Sequence, residues 1–198
     1  MNERDKRRVG EQIEPGGRPK APGRLELLQR FVNTWNHEFP EEWDRIGDPA
    51  RARAWLSEKG LIRPTDRVTR TDVVRLRRFR ETIRSLALAN HHDRAPVATS
   101  LEPLRREAAN TRLGLTVDAA GSTSIHGSGP GVDGAIGTLL AILHEAELLG
   151  AWPRMKGCRQ CEYVFFDRSK NRSAAWCAMS ICGNRSKNRT YRRRRTPG

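Results

Sequence analysis

No stretch of this chain approaches the ~20 consecutive apolar residues that a membrane-spanning helix needs. The N-terminus, Met1-Asn2-Glu3-Arg4-Asp5-Lys6-Arg7-Arg8, has no apolar run behind its charges, so no export signal is read there and a cytoplasmic location is expected. Hydrophobic residues make up only 36 % of the 198 and aromatics 6 %, which allows one modest core, or a core plus a small module. The phosphate-binding motifs are missing. Gly127-Ser128-Gly129-Pro130-Gly131 is rich in glycine but has neither the Lys-Ser/Thr of a P-loop nor a βαβ setting, so it reads as a connector. The five histidines (His37, His91, His92, His126, His144) form no His-x3-His pair, and His144-Glu145 lacks the second histidine of a zincin helix. With no Gly-x-Ser-x-Gly and no visible nucleophile–base pairing, no catalytic residue is assigned and no enzyme is expected.

Cysteine is absent from the first 157 residues. All four then fall in one segment, C-x2-C-x15-C-x4-C: Cys158, Cys161, Cys177 and Cys182. Two short Cys-to-Cys loops around a hairpin-sized insert can offer four soft ligands to a tetrahedral Zn²⁺ from a segment too small to hold its own core. Two disulfides, in any of three pairings, are disfavoured where thiols stay reduced. A thioredoxin-like Cys-x-x-Cys would need a βαβ context that Cys158 lacks, and unliganded thiols are the bland alternative.

Charge is as uneven as cysteine. From Pro153 onward, thirteen Lys/Arg face only Glu162 and Asp167, whereas residues 1–152 carry 24 basic and 21 acidic side chains. That imbalance points to a polyanionic partner for the C-terminal part and a near-neutral front part. Basic tails also serve solubility, and no amphipathic helix nearby suggests a membrane surface.

Along the chain, residues 1–23 mix charge, Gly and Pro with little apolar content and read as a disordered leader. Leu25, Leu28, Phe31, Val32, Trp35 and Phe39 recur at helical spacing and predict a helix over about 24–38. Asp48-Pro49 and Gly60 bracket a second helix. Thr69 and Asp72 form a capping-box pattern opening a third, with Val73, Leu76, Phe79/Arg80, Ile83 and Leu86 on its apolar line. Arg75, Arg78, Glu81 and Arg84 read as its solvated face. Ser100 can cap a helix running to about Arg112. Leu113–Asp118 and Ser122–His126 alternate as a hairpin about Ala119-Ala120-Gly121, and 132–149 is the most hydrophobic helix, with Gly134 and Gly137 permitting close helix contact. Trp152-Pro153 ends it. In the cysteine segment, Tyr163–Phe166 reads as a strand covering one side of the metal site, Trp176 seals the other side, and a basic helix follows Cys182. The fold class is mainly α with a small β-hairpin in the N-terminal domain, followed by a four-cysteine zinc finger of hairpin plus helix, treble-clef- or ribbon-like. The boundaries are 1–23, 24–152 and 153–195.

Cys182-Gly183-Asn184-Arg185, with Cys158-x2-Cys161, Phe166-Asp167-x-Ser169, Trp176-Cys177 and the basic tail, resembles the bacterial CGNR zinc-finger proteins. These usually carry an N-terminal, mostly helical ABATE domain. Phe31-Val32-Asn33-Thr34 looks like that domain's opening signature, and Trp55-Leu56, Gly60-Leu61 and Arg80-Glu81 fit its layout. The resemblance implies a stress-induced transcription regulator.

The expected function is therefore zinc-dependent nucleic-acid binding, with DNA as the partner in transcription regulation, nucleoid-associated when bound. Candidate contacts are Asn184, Arg185, Lys187, Asn188, Arg189, Arg192, Arg193, Arg194 and Arg195. RNA binding is the alternative, with Tyr163, Phe165, Phe166, Trp176 and Tyr191 available for stacking. A third reading is a small-molecule sensor, with Asn33 and Thr34 lining a pocket for an effector; in the bland version these residues satisfy neighbouring backbone. A homodimer is compatible with a single finger that needs added specificity. Loss of zinc is expected to unfold 154–195 and leave 25–150 helical.

Overall fold

The structure, a computed structural model, describes residues 20–91 and 101–188. Most of the expected leader, the expected cap Ser100 and the tail from Arg189 lie outside them. Helix α1 (Leu25–Val32) is shorter than the expected 24–38. It stops because polar side chains bind backbone groups there: Thr34 Oγ1 donates to the Phe31 carbonyl at 2.8 Å, and the Glu38 amide donates to Asn36 Oδ1. Phe39 is left exposed. At the other end the buried Ala21 donates its amide to Gln29 Oε1, tying residues before the helix onto it.

Asp48 caps helix α2 (Pro49–Glu58) by accepting from the Arg51 amide, and Gly60 follows at φ +67°, a conformation glycine adopts without strain. The capping box of helix α3 (Arg70–Ala89) is formed as the sequence predicts, with Thr69 and Asp72 each bonded to the other's backbone amide. Phe31 stacks at tilted angles on Trp55 and Phe79, with ring centroids 5.9 and 5.8 Å apart, joining α1, α2 and α3. Such pairs add about 0.5–1.5 kcal/mol beyond the area they bury.

The solvated face expected on α3 requires correction. Arg84 is 2 % exposed and Arg80 1 %. Arg80 makes a two-pronged ion pair with the equally buried Asp44 at 2.7 and 2.9 Å, and Arg84 donates to the Val32 and Trp35 carbonyls at 2.7 Å each. Glu81 sits between the two guanidiniums and accepts from both. Burying two arginines this way is tolerable only because the donors meet carboxylate or carbonyl oxygens. Arg75 points elsewhere, forking onto Glu107 of helix α4 (Glu102–Asn110) and reaching Asp133.

Strands β1 (Leu113–Val117) and β2 (Thr123–Gly127) form the expected antiparallel hairpin, with Leu115 opposite Ile125. Helix α5 (Gly131–Leu148) is the central core element. Its glycines serve a different contact from the one expected. A methyl on Gly134 would lie 2.2 Å from the Gly129 carbonyl oxygen, and one on Gly127 would lie 2.1 Å from the Gly134 oxygen. The close approach is thus between α5 and the end of β2 with its glycine turn, not between two helices.

A 3-10 turn, Trp152–Arg154, leads into β3 (Met155–Gly157), which pairs antiparallel with β4 (Val164–Phe166). Met155 and Val164 are fully buried in the same core as α1, α3 and α5. Front and back parts therefore share one hydrophobic interior.

Candidate metal centre and basic helix

Cys158 and Cys161 lie in the loop of the β3–β4 hairpin. The tight turn closes through Glu162 N–H to the Cys158 carbonyl at 2.8 Å and Cys158 N–H to the Tyr163 carbonyl at 2.9 Å, with Glu162 at φ +58°. Amides of Gln160 and Cys177 reach the Cys158 sulfur, and that of Tyr163 reaches the Cys161 sulfur. Cys177 follows the Ser169–Trp176 loop. Cys182 sits in a single wide turn, Met179–Gly183, whose Gly183 amide bonds back five residues to the Ala178 carbonyl.

These elements bring all four thiols together as the sequence predicts. Their sulfurs lie within 4.8 Å of one another, all four residues are buried, and none is disulfide-bonded. Cys161, Cys177 and Cys182 are separated by 3.2, 3.4 and 3.6 Å. The edge of a tetrahedron with Zn–S bonds of about 2.3 Å is about 3.8 Å, so the cluster matches a four-thiolate zinc site. Its electrostatics agree. Hydrogen bonds from Cys161 and Cys177 drive the Cys158 thiol far below its ordinary value, while Cys158 and Cys177 push Cys161 up. Four crowded sulfurs hold few negative charges alone; a dication lets all four ionise. Phe165 is buried within the cluster, with Tyr163, Ala174, Trp176 and Ile181 packed around it.

Asp167 anchors the next loop. It accepts from the Ser169 and Ala174 amides and from buried Lys156 Nζ at 3.0 Å. Burial works to raise its carboxyl, but bonds from Ser169 and Lys156 outweigh that and hold it below its ordinary value. Its cationic partner is Lys156, and Arg185 pairs with Glu38 of the segment after α1, at 3.0 Å.

From Cys182 the chain enters helical turns at 184–188, where Asn184, Arg185, Lys187 and Asn188 are exposed. Asn184 donates from its amide to the Ser180 carbonyl. Arg189 and Arg192, Arg193, Arg194 and Arg195 lie outside the described residues. Asn33 and Thr34 have their polar atoms engaged by protein. Asn33 donates to the Val164 carbonyl at 2.7 Å and accepts from its amide at 2.9 Å, continuing the edge of β4, and Thr34 accepts from Arg80. For Asn33 this is the bland reading, with a backbone partner remote in sequence; what sequence reasoning missed is Arg84, whose Nη1 donates to the Glu162 carbonyl beside Cys161 at 3.0 Å. The signal was present: Arg80 and Arg84, one turn apart, border the apolar stripe of α3.

A family model described as "Putative stress-induced transcription regulator" (ABATE) matches residues 25–153, more than half of the chain. A second, for the CGNR zinc finger, matches 154–195. No curated protein matches the sequence.

Proposed function

This chain belongs to the ABATE family and carries a CGNR zinc finger after that domain, and from this premise we propose that it is a zinc-dependent transcription regulator that grips duplex DNA through the basic helix opening at Asn184. One observation carries the reading. Cys182, buried in the thiol cluster, stands two residues before the exposed turn that bears Arg185 and Lys187. Bound zinc would cross-link the four thiolates. The chain's own contribution is to convert that fixed point into a fixed direction for the guanidinium and ammonium groups that follow. Arg185, Lys187, Arg189 and Arg192 to Arg195 meet phosphates, while Asn184 and Asn188, on one helix face, are the candidates for base edges. No helix of the described residues is long and apolar enough to cross a membrane.

The test is fluorescence anisotropy of the full chain with labelled duplex DNA across a salt series, repeated after chelation and with structured RNA as competitor. Neutralising ~6 phosphates predicts a slope near −5 in log K against log salt. Chelation should abolish ordered binding. Affinity untouched by chelation, or displacement by RNA at matched salt, overturns the DNA-regulator reading, the latter in favour of RNA.

A further inference from the structure

The β1–β2 hairpin has one closed edge and one open edge. On β2 the outward Ile125 carbonyl accepts from Arg24 at 2.8 Å, and the outward Gly127 amide donates to Thr138 Oγ1 at 3.0 Å. On β1 the register turns the amides and carbonyls of Leu113, Leu115 and Val117 away from β2, and they have no partner among the described residues. The same three side chains are 53, 64 and 65 % exposed, and Ile125, across from Leu115, is 42 % exposed. The strand reads Leu-Gly-Leu-Thr-Val, without the charge or proline with which exposed edges are commonly protected.

We propose that this edge is a homodimer interface: β1 pairs antiparallel with β1 of a second copy about a two-fold axis through Leu115. Charge selects both the partner and the register. Centred on Leu115, the pairing sets Leu113 opposite Val117, Gly114 opposite Thr116 and, just beyond the strand, exposed Arg112 opposite exposed Asp118 of the other copy, twice over. Moving the pairing by two residues removes both of those matches. The residues facing the new edge are the ones whose backbone groups point outward, so each symmetric pair closes two hydrogen bonds. The two hairpins join into a four-stranded sheet, β2–β1–β1–β2, whose one face carries a continuous row of Ile125 and Leu115 from both copies. Because β2 is occupied by Arg24 and Thr138, the assembly stops at two copies and does not grow into a filament. The interface lies in the near-neutral part of the sequence and includes none of the basic C-terminal residues. The dimer stands on the hairpin geometry alone and does not depend on what the basic helix binds.

Analytical ultracentrifugation of the zinc-loaded full chain, without nucleic acid, tests it. The chain of 22.4 kDa should sediment at twice that mass. Leu115→Lys, at a position already facing solvent, should weaken association about tenfold or more while leaving the thermal melt unchanged at a dilution where both proteins are monomeric. Arg112→Glu and Asp118→Lys should each weaken it, and an equimolar mixture of the two should restore the dimer mass, since one then supplies two acids and the other two bases. Asp118 also accepts from the Ala120 and Ser122 amides, so should its variant disturb the hairpin, Leu115→Lys decides alone. A wild-type chain that stays monomeric at every accessible concentration, or a dimer unaffected by Leu115→Lys, overturns the proposal.

Discussion

Arg84 donates to the carbonyl of Glu162, a residue 78 positions downstream and adjacent to the zinc-site Cys161. The same guanidinium holds the Val32 and Trp35 carbonyls and Glu81, so one side chain on α3 joins the end of α1 to the metal-binding turn. Glu162 sits at a positive φ, and its side chain and Glu81 both approach His37 at 3.4 Å. The finger is thereby held against the helical domain at the point where its first two ligands leave the hairpin.

Replacing Arg84 by Ala should therefore do two things. The buried Val32 carbonyl and the partly buried Trp35 and Glu162 carbonyls lose this donor and Glu81 keeps only Arg80, which should cost about 3 kcal/mol in a urea melt of the full chain. Zinc affinity, followed by competition with a chromophoric chelator, should fall as well, because the Cys158–Cys161 turn loses its tether. An unchanged zinc affinity would show that the turn is rigid without it.

Cys161→Ser should abolish stoichiometric zinc. The sequence suggests that all of 154–195 would then unfold. The structure narrows this, because Met155 and Val164 are part of the main core and Asn33 is bonded to both backbone groups of Val164. Hydrogen exchange should show lost protection at 167–188 with β3 and β4 still protected and α1, α3 and α5 unchanged. Loss of protection across β3 and β4 would restore the broader expectation.

Gly134→Ala places a good helix former in the first turn of α5, worth up to about 1 kcal/mol in propensity alone. The new methyl would nevertheless meet the Gly129 carbonyl, a backbone atom with no rotamer to change. Net destabilisation of roughly 1–3 kcal/mol is expected, read as a lower denaturation midpoint. A stabilised variant would mean that the glycine turn moves aside freely.

Burial works to raise the Glu81 carboxyl, but the charges of Arg84 and Arg80 outweigh it and hold it below its ordinary value. A carboxyl depressed in the folded state contributes stability that is full above the unfolded value, about 4.3, and is lost as pH falls through the lower folded value. Glu81→Gln should accordingly be less stable than wild type at neutral pH, with the gap closing in the acid range below about pH 4. Denaturant midpoints of both proteins across pH check this. The comparison between the two cancels zinc release, which both undergo on acidification. A constant gap at all pH values would remove the charge from the account.

Much of this was legible from residue order. The cysteine spacing, the Thr69–Asp72 cap, the Asp48-Pro49 helix start and the hairpin about Gly121 are local signals, set by chemistry within a few residues, and each is found in the structure. The misreadings concern groups whose partners are remote. Arg84 looked solvated because its carbonyl acceptors lie 49 to 78 residues away. The helix starting at Leu25 looked longer because Trp35 keeps its apolar period. Beyond its end, Asn33 and Thr34 are also held by β4 and Arg80, contacts that no window of sequence contains.

The wide turn at Met179–Gly183 has a consequence for how the C-terminal arm can vary. Cys182 is locked in place, and the helical turns start immediately beyond Gly183 with no slack between them. Each residue inserted or deleted there would swing everything downstream by about 100° and shift it about 1.5 Å along the axis. An insertion that leaves every cysteine intact would still turn Arg185 away from Glu38 and give Lys187 a new bearing.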